Sequence, residues 1–305
     1  MEFFKRIEDV FFHKDIIAVL GNFDGCHKGH RELVKAALKR KEETGASILV
    51  ITFDPHSKDL KGESIKRIQT LDEKLQCFEK LGVDGVSALA FTETFSKMNR
   101  EDFLKNILID KIGVTDIVVG HDYRFGYQGA GNVDFLEEKK TQLGYHLIVV
   151  PAFKIQGEVV SSSKIRTLIE AGEIVLSKDL LGYYPLVTGQ VIHGSGVGKT
   201  LGFATANLLI DEVKIIPKVG VYGVIGHVSG KKVRGFCNVG YQPTFDRKKQ
   251  LVVEVHFFDF NEDVYGEIIC IHFIKRMRDE IKFNSVEELK AQLRKDQISI
   301  ENELN

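Results

Sequence analysis

A glycine-rich loop carrying two histidines follows the first apolar run of the chain. It reads GNFDGCHKGH, from Gly21 to His30. Gly21 and Gly25 allow a sharp turn and a close approach of the backbone to a phosphate. His27 and His30 stand three residues apart at a helix start, so both imidazoles can face one side. Since a helix N-terminus adds N–H groups and partial positive charge, the loop predicts a site where negative charge develops on phosphorus. A glycine-rich turn with two surface histidines is the alternative.

A second loop, GHDYRFGYQGAG at 120–131, alternates aromatic and charged residues. Its rings offer stacking faces beside polar groups, which suits a planar heterocycle such as a flavin or adenine. The alternating residues are Asp122, Tyr123, Arg124, Phe125 and Tyr127. The alternative is a surface loop whose aromatic rings pack on the core.

A third segment, VSSSKIR at 160–166, combines hydroxyls with cations. Ser161, Ser162 and Ser163 can cap a helix, while Lys164 and Arg166 can reach a triphosphate. A helix cap with ordinary surface cations is the alternative.

In the second half, GSGVGKT at 194–200 resembles a Walker A loop without being one. The Walker pattern needs glycine at position 193, which is His193, and no helix-forming stretch follows. Backbone amides around the glycines, together with a lysine, can still wrap phosphates. The residues in question are Gly194, Gly196, Gly198 and Lys199. A flexible hairpin is the alternative.

Two segments further along the chain supply oxygen ligands, ATAN at 204–207 and EVHFFDF at 254–260. Thr205 and Asn207 fall on one face of an extended chain and offer two neutral oxygens to a hard cation. Glu254 lies inside an apolar run, where an unpaired carboxylate is costly unless it faces a pocket. It could accept a proton from an attacking hydroxyl in phosphoryl transfer. A solvated strand face shared with His256 is the alternative.

The elements that carry these loops differ between the two halves of the chain. In the first 180 residues, short apolar runs alternate with amphipathic stretches. That alternation predicts a parallel, doubly wound sheet with ligands at the carboxyl ends of its strands. After about Gly182, apolar runs recur with few helical stretches between them, which predicts an antiparallel barrel or sandwich. We therefore expect two domains, 1–182 and 183–305.

The periodicity also sets expected bounds for most elements. In the first half the predicted strands are Ile16–Leu20, Ser47–Phe53, Val86–Phe91, Asp116–Gly120 and His146–Val150. The predicted helices there are Lys28–Thr44, Leu71–Leu81, Arg100–Ile112, Val133–Leu143 and Ser163–Ala171. In the second half the predicted strands are Val187–His193, Gly220–Val228, Lys232–Asn238, Leu251–Asp259 and Tyr265–Phe273, followed by a helix over Val286–Arg294.

Composition bounds the class of protein. The chain has 305 residues, 43% hydrophobic and 28% charged, with a net charge of −1, as is ordinary for a globular protein. No basic block favours nucleic-acid binding, and no uncharged apolar run approaches the roughly 20 residues of a membrane helix. The first residues do not form a signal-peptide pattern. Four scattered cysteines with no CxxC pair argue against a disulfide framework and for a reducing, cytoplasmic location.

Taken in order, the motifs are similar to those of the prokaryotic bifunctional riboflavin kinase/FMN adenylyltransferase family. The first half matches in GNFDGCHKGH, TFDPH, VVGHDYRFG and SSSKIR, over most of residues 16–170. The second half matches in GQVIHGSGVGKTLGFATANL, VGVYGV, GFCNVGYQPTF, VEVHFFDF, YGE and RDEIKF, over nearly all of 185–296. The resemblance implies a Rossmann-like α/β nucleotidyltransferase domain, then a six-stranded barrel kinase domain with a C-terminal helix. It implies ATP, riboflavin, FMN and FAD as ligands, with magnesium.

By resemblance, the first half holds ATP and adenylylates FMN, with His27 and His30 steadying the transition state. The resemblance assigns ATP binding there to Gly21, Phe23, Asp24, His27, His30, Ser162, Ser163 and Arg166. Asp122 and Phe125 would contact the flavin. The family commonly has Thr at Ser163, Pro at Ser57 and Phe at Tyr123.

By resemblance, the second half phosphorylates riboflavin with Glu254 as the base. Thr205 and Asn207 would bind magnesium and ATP, and Arg278 would border the flavin. The family has proline where this chain has Ala204, which removes a rigid residue before the metal-binding threonine.

Two other functions remain open on the sequence. The first half could adenylylate a pantetheine or a nicotinate nucleotide instead. Alternatively, the barrel could be a flavin-binding regulatory domain that has lost kinase activity.

Overall fold

The computed structural model describes residues 1–54, 65–194, 203–243 and 249–304. Its contacts divide the chain into two compact units. The first comprises Met1–Ile65 with Gln69–Ser162, and the second comprises Lys66–Ile68 with Ser163–Asn305. The helical residues from Ser163 to 182 thus belong to the second unit. The division into functional domains at residue 182 stays a prediction.

A six-stranded parallel sheet forms the centre of the first unit. Its strands are β1 (Glu2–Phe4), β2 (Ile16–Leu20), β3 (Ser47–Phe53), β4 (Gly85–Leu89), β5 (Val114–Gly120) and β6 (His146–Val150). They lie in the order β1-β4-β3-β2-β5-β6, and every pairing is parallel. The predicted doubly wound sheet is confirmed. The order reverses between β2 and β5, which is where ligands bind in such sheets.

Helices alternate with these strands. They are α1 (Lys28–Thr44), α2 (Leu71–Lys80), α3 (Glu93–Ser96), α4 (Arg100–Asp102), a π-helix over Phe103–Ile112 and α5 (Val133–Leu143), and a hairpin of β7 (Lys154–Ile155) and β8 (Glu158–Val159) follows β6. Local sequence explains their ends. Gly45 and Gly144 adopt left-handed conformations just after α1 and α5, which favours glycine at a helix end. Thr70 and Glu73 form a capping box at the start of α2.

The second unit is a closed antiparallel barrel with helices before and after it. The elements are α6 (Ser162–Ala171), α7 (Ile174–Leu181), β9 (Leu186–Ile192), β10 (Ala206–Ile210), β11 (Gly220–Val228), β12 (Lys231–Pro243), β13 (Lys249–Phe257), β14 (Ile268–Arg278) and α8 (Val286–Leu304). The barrel order is β10-β13-β12-β11-β14-β9. The six-stranded barrel and the C-terminal helix are therefore confirmed.

Side chains alternate across the barrel wall, as the period of two requires. On three neighbouring strands the inward residues are Ala206, Leu208, Cys237, Val239, Val253 and Val255, which join one buried cluster. The residues between them, Asn207, Asn238 and Glu254, consequently lie on the outer face of the wall. The barrel thus places three polar side chains together on a single face.

Candidate active sites

The loop after β2 holds two stacked imidazoles at the start of α1. His27 is the N-cap residue, and its Nδ1 accepts a hydrogen bond from the backbone N–H of His30 at 3.2 Å. The two rings lie 3.6 Å apart between centroids and are inclined by 14°. Because Nδ1 of His27 accepts a hydrogen bond, its neutral ring carries the proton on Nε2, where it can be donated.

Burial keeps both imidazoles uncharged. His27 is 5% exposed, and burial lowers its pKa to about 4, with the charge of Asp122 acting in the opposite direction. The pKa of His30 is lowered well below its ordinary value, chiefly by burial and then by the charges of His27 and Lys74. Nδ1 of His30 is buried and has no hydrogen-bond partner among the described residues. Near pH 7 the site therefore contains neutral N–H donors.

Buried side chains fix the strained backbone of this loop. Phe23 and Cys26 have φ of 52° and 41°, a left-handed conformation that is costly for residues other than glycine. Phe23 is fully buried and packs edge-on against Phe78 and His30 at 5.3 and 5.2 Å. A Cβ on Gly21 would lie 3.0 Å from the Phe23 ring. The buried Phe23 ring thus supports the loop from the core side. Gly21 has no side chain that would clash with this ring.

Asp24 and Ser162 meet at the same loop. Asp24 is 3% exposed, and its carboxylate accepts a hydrogen bond from the backbone N–H of Gln69 at 3.3 Å. The hydroxyl of Ser162 donates to the carbonyl of Asp24 at 2.8 Å. On α6, the guanidinium of Arg166 donates to the hydroxyl of Ser163 at 3.2 Å. Ser163 and Arg166 belong to the second unit.

Lys74 is a buried cation beside this loop that the motifs do not predict. It is 6% exposed, and its Nζ donates to the carbonyl of Asn22 at 2.9 Å and to Oγ1 of Thr52 at 3.3 Å. A sequence signal exists, because Lys74 lies three residues after Leu71 and four before Phe78. That spacing puts a charged residue on the apolar face of α2.

The loop after β5 contributes one exposed carboxylate and one buried ring. The Asp122 side chain is 83% exposed. Phe125 is only 7% exposed and packs against Phe103 at 5.5 Å and Phe135 at 6.1 Å. The ring of Phe125 thus belongs to the core, and its expected contact with a flavin stays a prediction. Tyr127, at 49% exposed, has the open ring of this loop.

On the barrel, three polar residues lie side by side on adjacent strands. Glu254 of β13 is paired with Asn207 of β10 on one side and with Asn238 of β12 on the other. Directly opposed residues have Cα atoms about 4.5–5.5 Å apart. Asn207 is 5% exposed. The carboxylate of Glu254 therefore stands between two amides rather than on a fully solvated strand face.

The segments that lead to β10 are held close to this triplet. A Cβ on Gly194 would lie 2.0 Å from Nδ2 of Asn207, so any larger residue there would have to displace the Asn207 amide. The ring Nδ1 of His256 bonds the carbonyl of Ala204 at 2.8 Å, which ties the segment before Thr205 to β13. Gly196, Gly198 and Lys199 fall outside the described residues.

Arg278 is held by the C-terminal helix. Its guanidinium donates to Asp296 of α8 through Nε at 3.1 Å and Nη2 at 2.6 Å. The two side chains are 17% and 6% exposed. The third nitrogen, Nη1, donates to the carbonyl of Asp279 at 2.9 Å. All three guanidinium nitrogens thus already donate within the protein, and the expected contact with a flavin stays a prediction.

Glu280 is a second residue that the motifs do not predict. Its Oε1 accepts a hydrogen bond from Nδ2 of Asn238 at 3.2 Å. A Cβ on Gly240 would lie 2.2 Å from that oxygen. The triplet on the barrel face therefore extends to a second carboxylate. Within the described residues, no group of three histidine, cysteine or acidic side chains is arranged to hold a metal ion.

The fold and the two sites define a class of protein. A parallel sheet presents neutral histidines at a helix N-terminus beside its switch point, which is an arrangement for binding a phosphate group. The barrel places a carboxylate between two amides, close to a glycine at the end of a neighbouring segment. Such a carboxylate is suited to accept the proton of a hydroxyl that attacks a second phosphate.

Comparison with known proteins agrees with this class in both halves. The FAD synthetase family model matches residues 11–164, and the riboflavin kinase model matches residues 181–304. The bifunctional riboflavin kinase/FMN adenylyltransferase of Bacillus subtilis is 36% identical, over 92% of this chain and 90% of its own. The protein of the same name from Escherichia coli K12 is 31% identical, over 93% and 91%. The chain belongs to the bifunctional riboflavin kinase/FMN adenylyltransferase family.

A solved structure supports the architecture. A crystal structure described as a macrolide-efflux protein from Streptococcus pneumoniae has a TM-score of 0.89 and 32% identity, and the match covers 98% of each chain. In the part of this chain that the structure describes, no helix is both long and apolar enough to cross a membrane.

Proposed function

We propose that this chain makes FAD from riboflavin in two ATP-dependent steps, in the cytoplasm. The observation that carries the proposal is the presence of two unlike sites, each in a separate unit. One is the neutral histidine pair at the sheet, and the other is Glu254 between Asn207 and Asn238 on the barrel. The cysteines are all free, which suits a reducing compartment. We assign adenylyl transfer to residues 1–182 and phosphorylation to 183–305.

In the phosphorylation step, the 5′-hydroxyl of riboflavin attacks the γ-phosphorus of ATP and ADP leaves. Glu254 accepts the hydroxyl proton as the new P–O bond forms. Asn238, whose amide donates to Glu280, is the cross-strand neighbour of this carboxylate. Gly194, Gly196, Gly198 and Lys199 contact the phosphates, and Arg278, anchored by Asp296, borders the flavin.

In the adenylylation step, a phosphate oxygen of FMN attacks the α-phosphorus of a second ATP and pyrophosphate leaves. The nucleophile is already an anion, so no base is required. His27 and His30 donate N–H groups to the oxygens on which charge increases. Because both imidazoles are neutral, they form no ion pair with the substrate in the ground state. Their N–H groups therefore stabilise the charge that develops in the transition state without breaking such a pair. Gly21, Phe23 and Asp24 shape the nucleotide site, Asp122 helps to place FMN, and Ser162, Ser163 and Arg166 contact the pyrophosphate.

Magnesium is the cation that suits the barrel site. Mg²⁺ prefers hard oxygen ligands and usually joins a few protein oxygens to substrate phosphates. The hydroxyl of Thr205 and the amide oxygen of Asn207 are such ligands, and the nearby Glu254 carboxylate adds negative charge. When bound, the ion would neutralise charge on the phosphates. Replacement of the family proline by Ala204 leaves these groups unchanged, and the segment is still held by the hydrogen bond from His256.

The fate of radiolabelled ATP tests both steps. With riboflavin as substrate, label from the γ-phosphorus should enter FMN and then FAD, whereas label from the α-phosphorus should enter FAD alone. With FMN supplied, only the α label should enter the flavin pool, and excess chelator should stop both transfers. Failure of the γ label to reach any flavin would contradict the kinase assignment. Transfer of the α label only to a pantetheine or nicotinate nucleotide would contradict the adenylylation assignment.

A further inference from the structure

One backbone carbonyl of the histidine loop accepts hydrogen bonds from two side chains of the core. The carbonyl of Asn22 accepts from Oγ1 of Thr52 at 3.0 Å and from Nζ of Lys74 at 2.9 Å. Nζ of Lys74 also donates to Oγ1 of Thr52 at 3.3 Å. Thr52 on β3 and Lys74 on α2 are both buried. We call these three groups the Asn22 clamp, and neither of its side chains has a part in the transfers described above.

The charge in this clamp exceeds what hydrogen-bond pairing requires. The hydroxyl of Thr52 alone would satisfy the Asn22 carbonyl. Burying an ammonium costs free energy, but a hydrogen bond from a charged donor is about twice as strong as a neutral one. Lys74 therefore fixes the carbonyl more firmly than the hydroxyl alone would.

The clamp also determines where the N–H of the same peptide bond points. In a planar trans peptide, the C=O and the N–H point in opposite directions. The Asn22 carbonyl points towards Thr52 on β3, so the N–H of Phe23 points away from that strand. Since β2 lies between β3 and β5, the N–H points to the β5 side, where the strand order reverses. Ligands bind at this place in such sheets.

The Phe23 N–H is an unused donor in a strained loop. It has no hydrogen-bond partner among the described residues, whereas buried backbone N–H groups are nearly always paired. Phe23 has a φ of 52°, which is costly for a residue other than glycine. The loop therefore needs support to hold this conformation, and the clamp supplies it one residue earlier.

We propose that Lys74 is a positioning residue for adenylyl transfer, which acts through the Asn22 carbonyl to aim the Phe23 N–H at a phosphate oxygen of the nucleotide. The reaction affected rests on the proposed function. Lys74 bonds the side of the peptide opposite to that N–H, so it is not itself a catalytic residue. A backbone N–H that is already aimed stabilises developing charge without reorganisation during the reaction.

Kinetics of the full-length chain test the role of Lys74. Lys74→Met removes the charge at similar length and leaves the Asn22 carbonyl paired with Thr52. It should lower kcat for FAD formation from FMN roughly tenfold to a hundredfold, less than the loss of a transition-state donor itself. The KM for FMN and the phosphorylation of riboflavin should not change. Lys80→Met, which alters an exposed lysine of the same helix, is the control and should keep the parent rate.

A second pair of variants tests the clamp without touching Lys74. Thr52→Val removes the hydroxyl at similar volume and should lower kcat less than Lys74→Met does, because the ammonium still holds the carbonyl. Thr52→Ser keeps the hydroxyl and should keep the parent rate. Equal rates of the valine and serine variants would contradict the clamp.

NMR of one peptide bond tests where the N–H points. Asn22–Phe23 is the only Asn–Phe sequence in the chain, so isotope labelling of asparagine carbonyls and phenylalanine amides isolates its signal. Adding ATP and magnesium should move the Phe23 amide proton downfield in the parent chain and in Lys80→Met, as a hydrogen bond to an anionic oxygen does. The movement should be much smaller in Lys74→Met.

Each contrary result has a distinct meaning. A parent signal that does not respond to ATP would overturn the proposed direction of the N–H. A parent-like kcat and shift in Lys74→Met would overturn the role of Lys74, as would an equal loss of riboflavin phosphorylation. If the parent chain made no FAD while its amide signal responded to ATP and that of Lys74→Met did not, the proposed function would fail and the positioning role would stand.

Discussion

At the scale of single residues, the electrostatic state of the histidine pair governs what the first site can do. Histidine has an ordinary pKa near 6.5, but burial lowers that of His27 to about 4. The folded state therefore binds the proton less tightly than the unfolded chain does. The stability associated with neutral His27 is fully present above pH 6.5 and is lost as the pH falls towards 4. By linkage this amounts to about 3 kcal/mol.

We predict that the ring signals of His27 do not titrate between pH 8 and pH 5.5. NMR of protein labelled in its histidine rings measures this directly, and His27→Gln identifies the signals. A titration midpoint near 6.5 would mean that the imidazole is solvated. In that case the transition state would be stabilised by an imidazolium ion rather than by a neutral donor.

The motifs predict some of the observed residue neighbourhoods and miss others, for physical reasons. His27, His30, Asn207 and Glu254 stand at spacings that strand and helix geometry turn into neighbours. The flavin contact of Phe125 stays a prediction, because alternation in a loop does not reveal which rings face the core. Lys74 reaches the histidine loop from α2, and Glu280 reaches Asn238 from the segment after β14. No local sequence pattern predicts the contact of Glu280. For Lys74, a charged residue on the apolar face of a helix is a signal that can be used.

At the scale of elements, periodicity predicts the sheet better than the barrel. Parallel strands are near-continuous apolar runs, so β2, β3 and β6 have the bounds that the sequence predicts. The last barrel strand is Ile268–Arg278 rather than Tyr265–Phe273, since the polar residues beyond Phe273 still pair with β11. The strands β1 and β10 are absent from the predicted set. With only three residues, β1 is too short to show a pattern.

The C-terminal helix α8 extends to Leu304, ten residues beyond the predicted end at Arg294. A buried ion pair between Asp296 of α8 and Arg278 of β14 connects this helix to the barrel. Removing one partner of such a pair leaves an uncompensated charge and costs about 3–5 kcal/mol. We predict that Asp296→Ala lowers the unfolding temperature of the second unit clearly, as measured by calorimetry. Combining Arg278→Met with Asp296→Leu should recover most of the loss, because well-packed apolar replacements of a buried pair are often neutral.

Asp279→Ala is the matched control, since Asp279 also pairs with an arginine but is 79% exposed. An exposed ion pair contributes about 0–1 kcal/mol. Equal effects of the Asp279 and Asp296 substitutions would contradict the view that α8 is held through Arg278.

At the scale of the whole molecule, two units with unlike chemistry lie on one chain. In the proposed function, the parallel sheet supplies a helix N-terminus and neutral donors for an anionic nucleophile. The barrel would supply a carboxylate for a nucleophile that must lose a proton. These requirements differ because a hydroxyl and a phosphate differ in charge, and no single site described here meets both. The product of the proposed barrel reaction is the substrate of the proposed sheet reaction, so FMN links the two transfers.

Mixing two inactivated chains tests the central claim most directly. Glu254→Gln should lack FMN formation yet convert supplied FMN to FAD. The double variant His27→Ala, His30→Ala should stop at FMN. Given riboflavin, ATP and magnesium, neither variant alone should make FAD, and an equimolar mixture should make it through released FMN, as chromatography of the flavins would show. Production of FAD from riboflavin by either variant alone would contradict the assignment of one transfer to each site.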